Sequence, residues 1–186
     1  MRVFALLLMG WISLQAMQYN PLQLNAEAMI FPKLLLLKKD PRSLLVDGRI
    51  RFCILYEPED RTTAEYIRTR LHERYPDTIE GFPLEAVILP YNQLSADTHV
   101  SALLMLYSEK NVERAVAFAQ KNCIVTFAYD TVYLEKGLLF ALGIQRTTVI
   151  YLNRSALSKC RIAFSAPLYQ IVRFIDGSAK SNARVH

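Results

Sequence analysis

Arg49 to Glu57, RIRFCILYE, is the stretch on which the fold turns. From Phe52 to Tyr56 every position is apolar, so a strand built from it must be covered on both faces. Such strands belong to parallel sheets with helices on either side. Pro58 ends the run, since it has no amide to offer a ladder. Beyond it the period changes from strand to helix. Thr62-Thr63-Ala64-Glu65 has the spacing of a capping box, and Ala64, Ile67, Leu71 and Tyr75 recur at helical intervals, with Glu65, Arg68 and His72 on the opposite face. Pro76-Asp77 stops that helix.

The same alternation continues downstream. Leu84 to Leu89 (LEAVIL) and Val100 to Tyr107 (VSALLMLY) read as a second and third strand. Ser108 is the expected cap of a helix over 109–122, with Val112, Ala115, Val116 and Ala119 inward and Glu109 near the positive end of its dipole. Ile124 to Ala128 gives a fourth strand. This order predicts an α/β fold with a mostly parallel sheet flanked by helices. Upstream, Leu24 to Lys39 reads as a helix with Leu24, Ala28, Phe31, Leu35 and Lys38 on one face, and Pro32 inside it predicts a kink or break. From Leu138 the rhythm changes. Leu138 to Gly143 and Thr147 to Leu152, joined by Ile144, Gln145 and Arg146, predict an antiparallel hairpin near the C-terminus, at the sheet edge. Asn153 is a natural N-cap for 154–159, and Leu168 to Ile175 is expected to pack an apolar face.

At the N-terminus, Arg2 precedes an apolar run from Val3 to Leu14, and Leu14-Gln15-Ala16 offers a small residue for cleavage. This reads as a secretory signal peptide over 1–16, cut after Ala16. About twelve residues of helix would cover roughly 18 Å, against a hydrocarbon core of about 30 Å. The alternative is an N-terminal strand or helix buried in a core. The remaining organisation is a single domain over 17–176 and a polar, basic tail over 177–186. Cleavage removes Arg2 and lowers the net charge from +5 to +4. With 52% hydrophobic and 21% charged residues, the chain can bury a sizeable core. Its positive charges form no aromatic-interleaved stripe, so nucleic acid is not an expected partner.

Much chemistry is excluded. The six glycines, at 10, 48, 81, 137, 143 and 177, cannot build a phosphate-binding Walker loop or a dinucleotide fingerprint. Gly-x-Ser-x-Gly and His-Glu-x-x-His are absent too, and His72, His99 and His186 read as surface residues. No catalytic constellation, cofactor or metal site is expected. Of three cysteines, Cys53, Cys123 and Cys160, at most two can pair within one chain. Cys53 and Cys123 lie in apolar runs and read as buried, and a bridge between them stays open. The acidic cluster Glu57, Glu59 and Asp60 follows the first strand's carboxyl end, where ligands bind in open α/β sheets. It is the candidate site for a cation or polar ligand, set against a plain role in starting the next helix.

The stretch from Lys136 to Phe174 carries a family resemblance. Gly137-Leu138-Leu139-Phe140, then Val149 to Leu157 with Asn153, then Ile162-Ala163-Phe164-Ser165 and Leu168, resembles the carboxyl half of YfiR-like periplasmic proteins. Ile50 to Leu55 is similar to that family's Arg-x-Cys-Val-Leu strand, and Ala26 to Leu37 to its opening helix. Three positions depart from the pattern: Lys136 replaces the first turn glycine, Tyr56-Glu57 replaces a Gly-Asp, and Thr98-His99 stands where a cysteine is often found. The last departure removes the partner that the resemblance would give Cys53. The resemblance implies a non-enzymatic periplasmic regulator that holds the periplasmic sensor domain of a membrane-anchored diguanylate cyclase or kinase. Cys53, Gly137 and Asn153 are then structural positions. Two functions follow as expectations: a module that binds a protein domain through an apolar surface, and a small-ligand protein using a crevice near Glu57 to Asp60. Homodimerisation is open in either case.

Overall fold

The computed structural model describes residues 19–176. The signal segment with its Ala16 cleavage site, and the tail over 177–186, lie outside the described residues.

The first helix, α1 (Pro21–Leu36), starts three residues before the expected boundary. Asn20 caps it by accepting from the Leu22 amide at 2.9 Å, and Pro21 fits the first turn, where its missing N–H costs nothing. The helix runs unbroken through Pro32. Phe31, Leu34 and Leu35 are buried against the sheet, and that packing outweighs the one hydrogen bond lost. Two strands follow, β1 (Leu45–Val46) and β2 (Arg49–Tyr56), joined by Asp47-Gly48, both at positive φ (51° and 80°). Asp-Gly is a favoured type I′ pair, and it makes a small hairpin that the strand pattern alone does not reveal. The same device, Glu80-Gly81, joins β3 (Thr78–Ile79) to β4 (Phe82–Pro90).

Between β2 and β3 lies α2 (Arg61–Arg74). The expected capping box does not form. Asp60, not Thr62, is the N-cap residue, and Glu65 turns to Arg61 and Arg68 instead. Strand β5 (Ala102–Met105) is fully buried, and α3 (Val112–Lys121) begins later than expected, with Asn111 at its N-cap. Ser108 still serves that end, accepting the Asn111 amide at 2.9 Å. Then come β6 (Val125–Ala128), β7 (Phe140–Ile144), β8 (Thr148–Asn153), α4 (Arg154–Lys159), α5 (Ala166–Ile171) and β9 (Val172–Ile175).

The strands form one sheet in the order β3-β4-β2-β5-β6-β7-β8-β9, with β1 on β2. Parallel pairing runs from β4 through β7, and β7 with β8 is the expected antiparallel hairpin. That hairpin is not the sheet edge. β9 adds in parallel beyond β8, because the segment expected to pack one apolar face splits into a short helix and a strand.

β2 lies between β4 and β5, as its two-sided apolar centre requires. Phe52, Ile54 and Tyr56 face α1 and α2, while Cys53 and Leu55 face the α3 side. On the first face Phe127 joins a run of rings, 4.4 Å from Phe31, 5.7 Å from Phe52 and 5.4 Å from Phe140. Aromatic area of this kind is the largest single contribution to such a core. Cys123 is not buried. It follows the α3 cap at φ 49°, where its amide reaches Gln120 O and the Ile124 amide reaches Ala119 O, a Schellman turn that points the side chain outward.

Candidate functional site

The sheet reverses direction between β2 and β5: the chain leaves β2 toward β4, then crosses back to β5 and on to β6. A crevice at the carboxyl ends of those strands is where an open α/β sheet binds ligands. Glu57 and Ser108, the residues just past β2 and β5, flank it.

The acidic residues do not converge there. Glu57 accepts from the Ser108 hydroxyl and from Asn111 Nδ2 (2.8 Å). Asp60 is buried and accepts from the Tyr19 hydroxyl at 2.7 Å. Glu59 is exposed on the short 3-10 turn between them. Burial pushes the Asp60 carboxyl above its ordinary range, Glu59 and Glu57 add to the rise, and the Tyr19 hydrogen bond opposes it. Two of the three carboxylates are thus engaged by the chain itself.

Tyrosines fill the rest of the crevice. Tyr19 also accepts the Tyr107 amide at 3.1 Å, and Tyr129 accepts the Asn20 amide at 2.7 Å. Tyr133 accepts the Ser108 amide (2.7 Å) and donates to the Ser108 carbonyl (3.0 Å), while Tyr91 donates to the Leu106 carbonyl (2.7 Å). Burial raises the phenol pKa of Tyr19, Tyr91, Tyr129 and Tyr133, so all are neutral donors at physiological pH. The sequence carries one sign of this arrangement. Tyr56 closes β2, and Tyr107 and Tyr129 stand just beyond β5 and β6, so aromatic residues gather at one end of the sheet.

Below this end lies Glu27 on α1, fully buried. Its Oε1 accepts from Gln23 Nε2 at 2.9 Å, and Oε2 has no partner. Desolvation raises its pKa well above 4.5, with the Gln23 bond opposing, so burial favours the neutral carboxyl.

The family-motif positions are occupied as follows. Cys53 is buried mid-strand, and burial pushes its thiol up to about 12, Arg51 opposing. Gly137 has φ 104°, and a Cβ there would lie 2.5 Å from Gln120 Nε2. Asn153 is buried, caps α4 by accepting the Ala156 amide (3.0 Å), and donates to Leu134 O (2.6 Å). Among the described residues no group of three or more His, Cys, Asp or Glu could hold a metal ion, and no helix is long and apolar enough to cross a membrane.

Two other surfaces stand out. A groove of about 330 Å³ runs between α2 and β4, lined by Arg68, His72, Tyr75, Leu84 and Ala86, far from the acidic cluster. At the opposite end of the sheet, Tyr169, Ile171 and Phe174 are exposed by 39%, 54% and 36% beside the outer strand β9. The Tyr169 and Phe174 rings stack 6.1 Å apart, and the Arg154 guanidinium lies 4.8 Å from the Phe174 ring centre.

No protein-family model matches the chain, and no curated protein matches it in sequence. Solved structures do. One is described as the ABC domain in complex with L-Trp from Streptococcus pneumonia: TM-score 0.54, 11% identity, covering 82% of this chain and 60% of that one. Another is a conserved domain protein from Vibrio cholerae O1 biovar El Tor: TM-score 0.56, 10% identity, covering 81% and 59%. The chain thus spans about three fifths of these structures. At such identities the likeness establishes the α/β fold alone.

Proposed function

We propose that this chain is a non-enzymatic binding protein of the periplasm that docks on the sensor domain of a membrane-anchored signalling protein through the β9 edge. The observation that carries this is the exposure of Tyr169, Ile171 and Phe174 within one short segment, with the Tyr169 and Phe174 rings stacked. A residue exposed singly needs no explanation, but three large apolar side chains along one short helix and strand do. Among the described residues β9 pairs with β8 on one side only, so its other edge offers backbone donors and acceptors to a partner strand. The likeness to YfiR-like proteins supplies the class of partner.

The small-ligand reading is the weaker one on geometry. A solute entering the crevice must displace Tyr19 from Asp60 and Tyr107, and each hydrogen bond left unmade there costs about 1–3 kcal/mol.

Affinity capture from a detergent extract of membranes tests the proposal. The wild-type chain and a Glu57→Ala, Glu59→Ala, Asp60→Ala variant should both recover a membrane signalling protein, and an Ile171→Asp, Phe174→Asp variant should not. Capture unaffected by the aspartates, or a ligand-dependent rise in Tm that the acidic variant loses, would overturn it.

A further inference from the structure

Cys123 and Cys160 lie 37 positions apart in sequence, yet their thiols share one acceptor. Cys123 Sγ lies 3.7 Å and Cys160 Sγ 3.5 Å from the Gln120 carbonyl oxygen. The reason is the meeting of two helix ends. Cys123 is the left-handed residue that closes α3, and Cys160 is the cap residue of α4, followed by Arg161 at φ 48°. Each helix therefore presents its final turn, with a cysteine on it, to the same spot. The Cys160 thiol is pushed up to about 11, first by burial and then by its hydrogen bond to the Cys123 thiol, with Lys159 opposing. Cys123 is exposed and Cys160 half-buried, so an oxidant can reach the pair.

We propose that Cys123 and Cys160 are the site of an intramolecular disulfide that ties α4 to the α3–β6 turn. The oxidant is another disulfide, of low molecular weight or on an oxidoreductase. The Cys123 thiolate attacks one of its sulfurs and expels the other as a thiolate. The Cys160 thiolate then attacks the Cys123 sulfur of the mixed disulfide and expels the second. Two protein thiols are oxidised, one disulfide is reduced to two thiols, and the two protons released pass to the leaving thiolates. The exposed thiol makes the first attack and the shielded one resolves it. Cys53, enclosed mid-strand, takes no part. The bond closes a loop containing β6, β7 and β8, and fixes α4, from which Arg154 reaches over Phe174.

The test needs only the full chain, reduced and then equilibrated with oxidised glutathione. After blocking of free thiols and tryptic digestion, the peptide Asn122–Lys136 should appear joined to the dipeptide Cys160–Arg161, with Phe52–Arg61 carrying a blocked Cys53. The oxidised chain should melt about 5–10 °C above the reduced one, a difference absent in Cys123→Ser and Cys160→Ser. Both sites are surface turns, and the peptide map of the unaltered chain stands whether or not these variants fold. Free Cys123 and Cys160 after oxidation, glutathione retained on Cys123, or a link to Cys53 or between two chains would each overturn the proposal.

Discussion

Replacing Glu27 with glutamine should make the protein more stable, by an amount that grows with pH. The carboxyl is fully buried, satisfied on one oxygen by Gln23 and orphaned on the other, and its folded pKa stands well above the unfolded 4.5. Below pH 4.5 both states hold the proton and Glu27 adds no pH dependence. Above it the unfolded chain releases the proton while the folded chain keeps it. Stability is then lost at about 1.4 kcal/mol per pH unit, until the folded pKa is passed. Glutamine keeps the acceptor for Gln23 and never ionises, so its own cost, an unpaired NH2 with two N–H donors, does not vary with pH. As pH rises from 4.5 toward neutrality the variant should therefore gain on the wild type, by up to about 1.4 kcal/mol per pH unit while the folded carboxyl keeps its proton. Urea titrations followed by circular dichroism at intervals of one pH unit measure the difference directly, and groups common to both chains cancel. A difference that stays flat across that interval would mean that Glu27 is ionised in the folded protein, and the account of its burial would fail.

Asn153→Ala removes the α4 cap and takes one of two donors from the Leu134 carbonyl, which keeps the Gly137 amide at 3.0 Å, a combined loss of about 1–3 kcal/mol by urea denaturation; Asn153→Asp keeps the cap but sets a buried carboxylate against that carbonyl, and should lose at least as much. Tyr19→Phe takes the donor from Asp60 and the acceptor from the Tyr107 amide, and should cost about 1–3 kcal/mol. It should also raise the Asp60 pKa further, which NMR titration of its carboxyl carbon reads, so the deficit deepens as pH rises through the carboxylate range.

The core of the fold was legible because its signals are local and periodic. Phe52 to Tyr56 demanded two covered faces and has them, and the apolar spacing of Ala64, Ile67 and Leu71 placed α2 against the sheet. What escaped depends on chain geometry that periodicity does not encode. Asp47-Gly48 and Glu80-Gly81 are readable turn pairs, but each feeds a two-residue strand too short to show alternation. Cys123 sits in an apolar run, yet a helix-closing turn aims it outward, and no residue count reveals that turn. At the crevice, the acidic cluster was found at the right end of the sheet. Its engagement by Tyr19, Ser108 and Asn111 arises from contacts 41 to 54 positions apart in sequence.

Those contacts bear on what can occupy the reversal point of the sheet. The Tyr19 hydroxyl does two jobs at once, donating to Asp60 and accepting from the backbone of Tyr107. Water could do both, but a solute displacing Tyr19 must bring a group with the same pair of capacities, a hydroxyl above all, to the same position. It must also offset the aromatic area that Tyr19 buries edge-on against Tyr129 at 4.8 Å. A partner at the β9 edge displaces nothing comparable. Ile171, Tyr169 and Phe174 already meet water, so covering them gains apolar burial without breaking an internal bond. The asymmetry follows from where the chain has placed its internal hydrogen bonds: Tyr19 is committed twice over at the crevice, while the Ile171 and Phe174 side chains at the edge have none to give up.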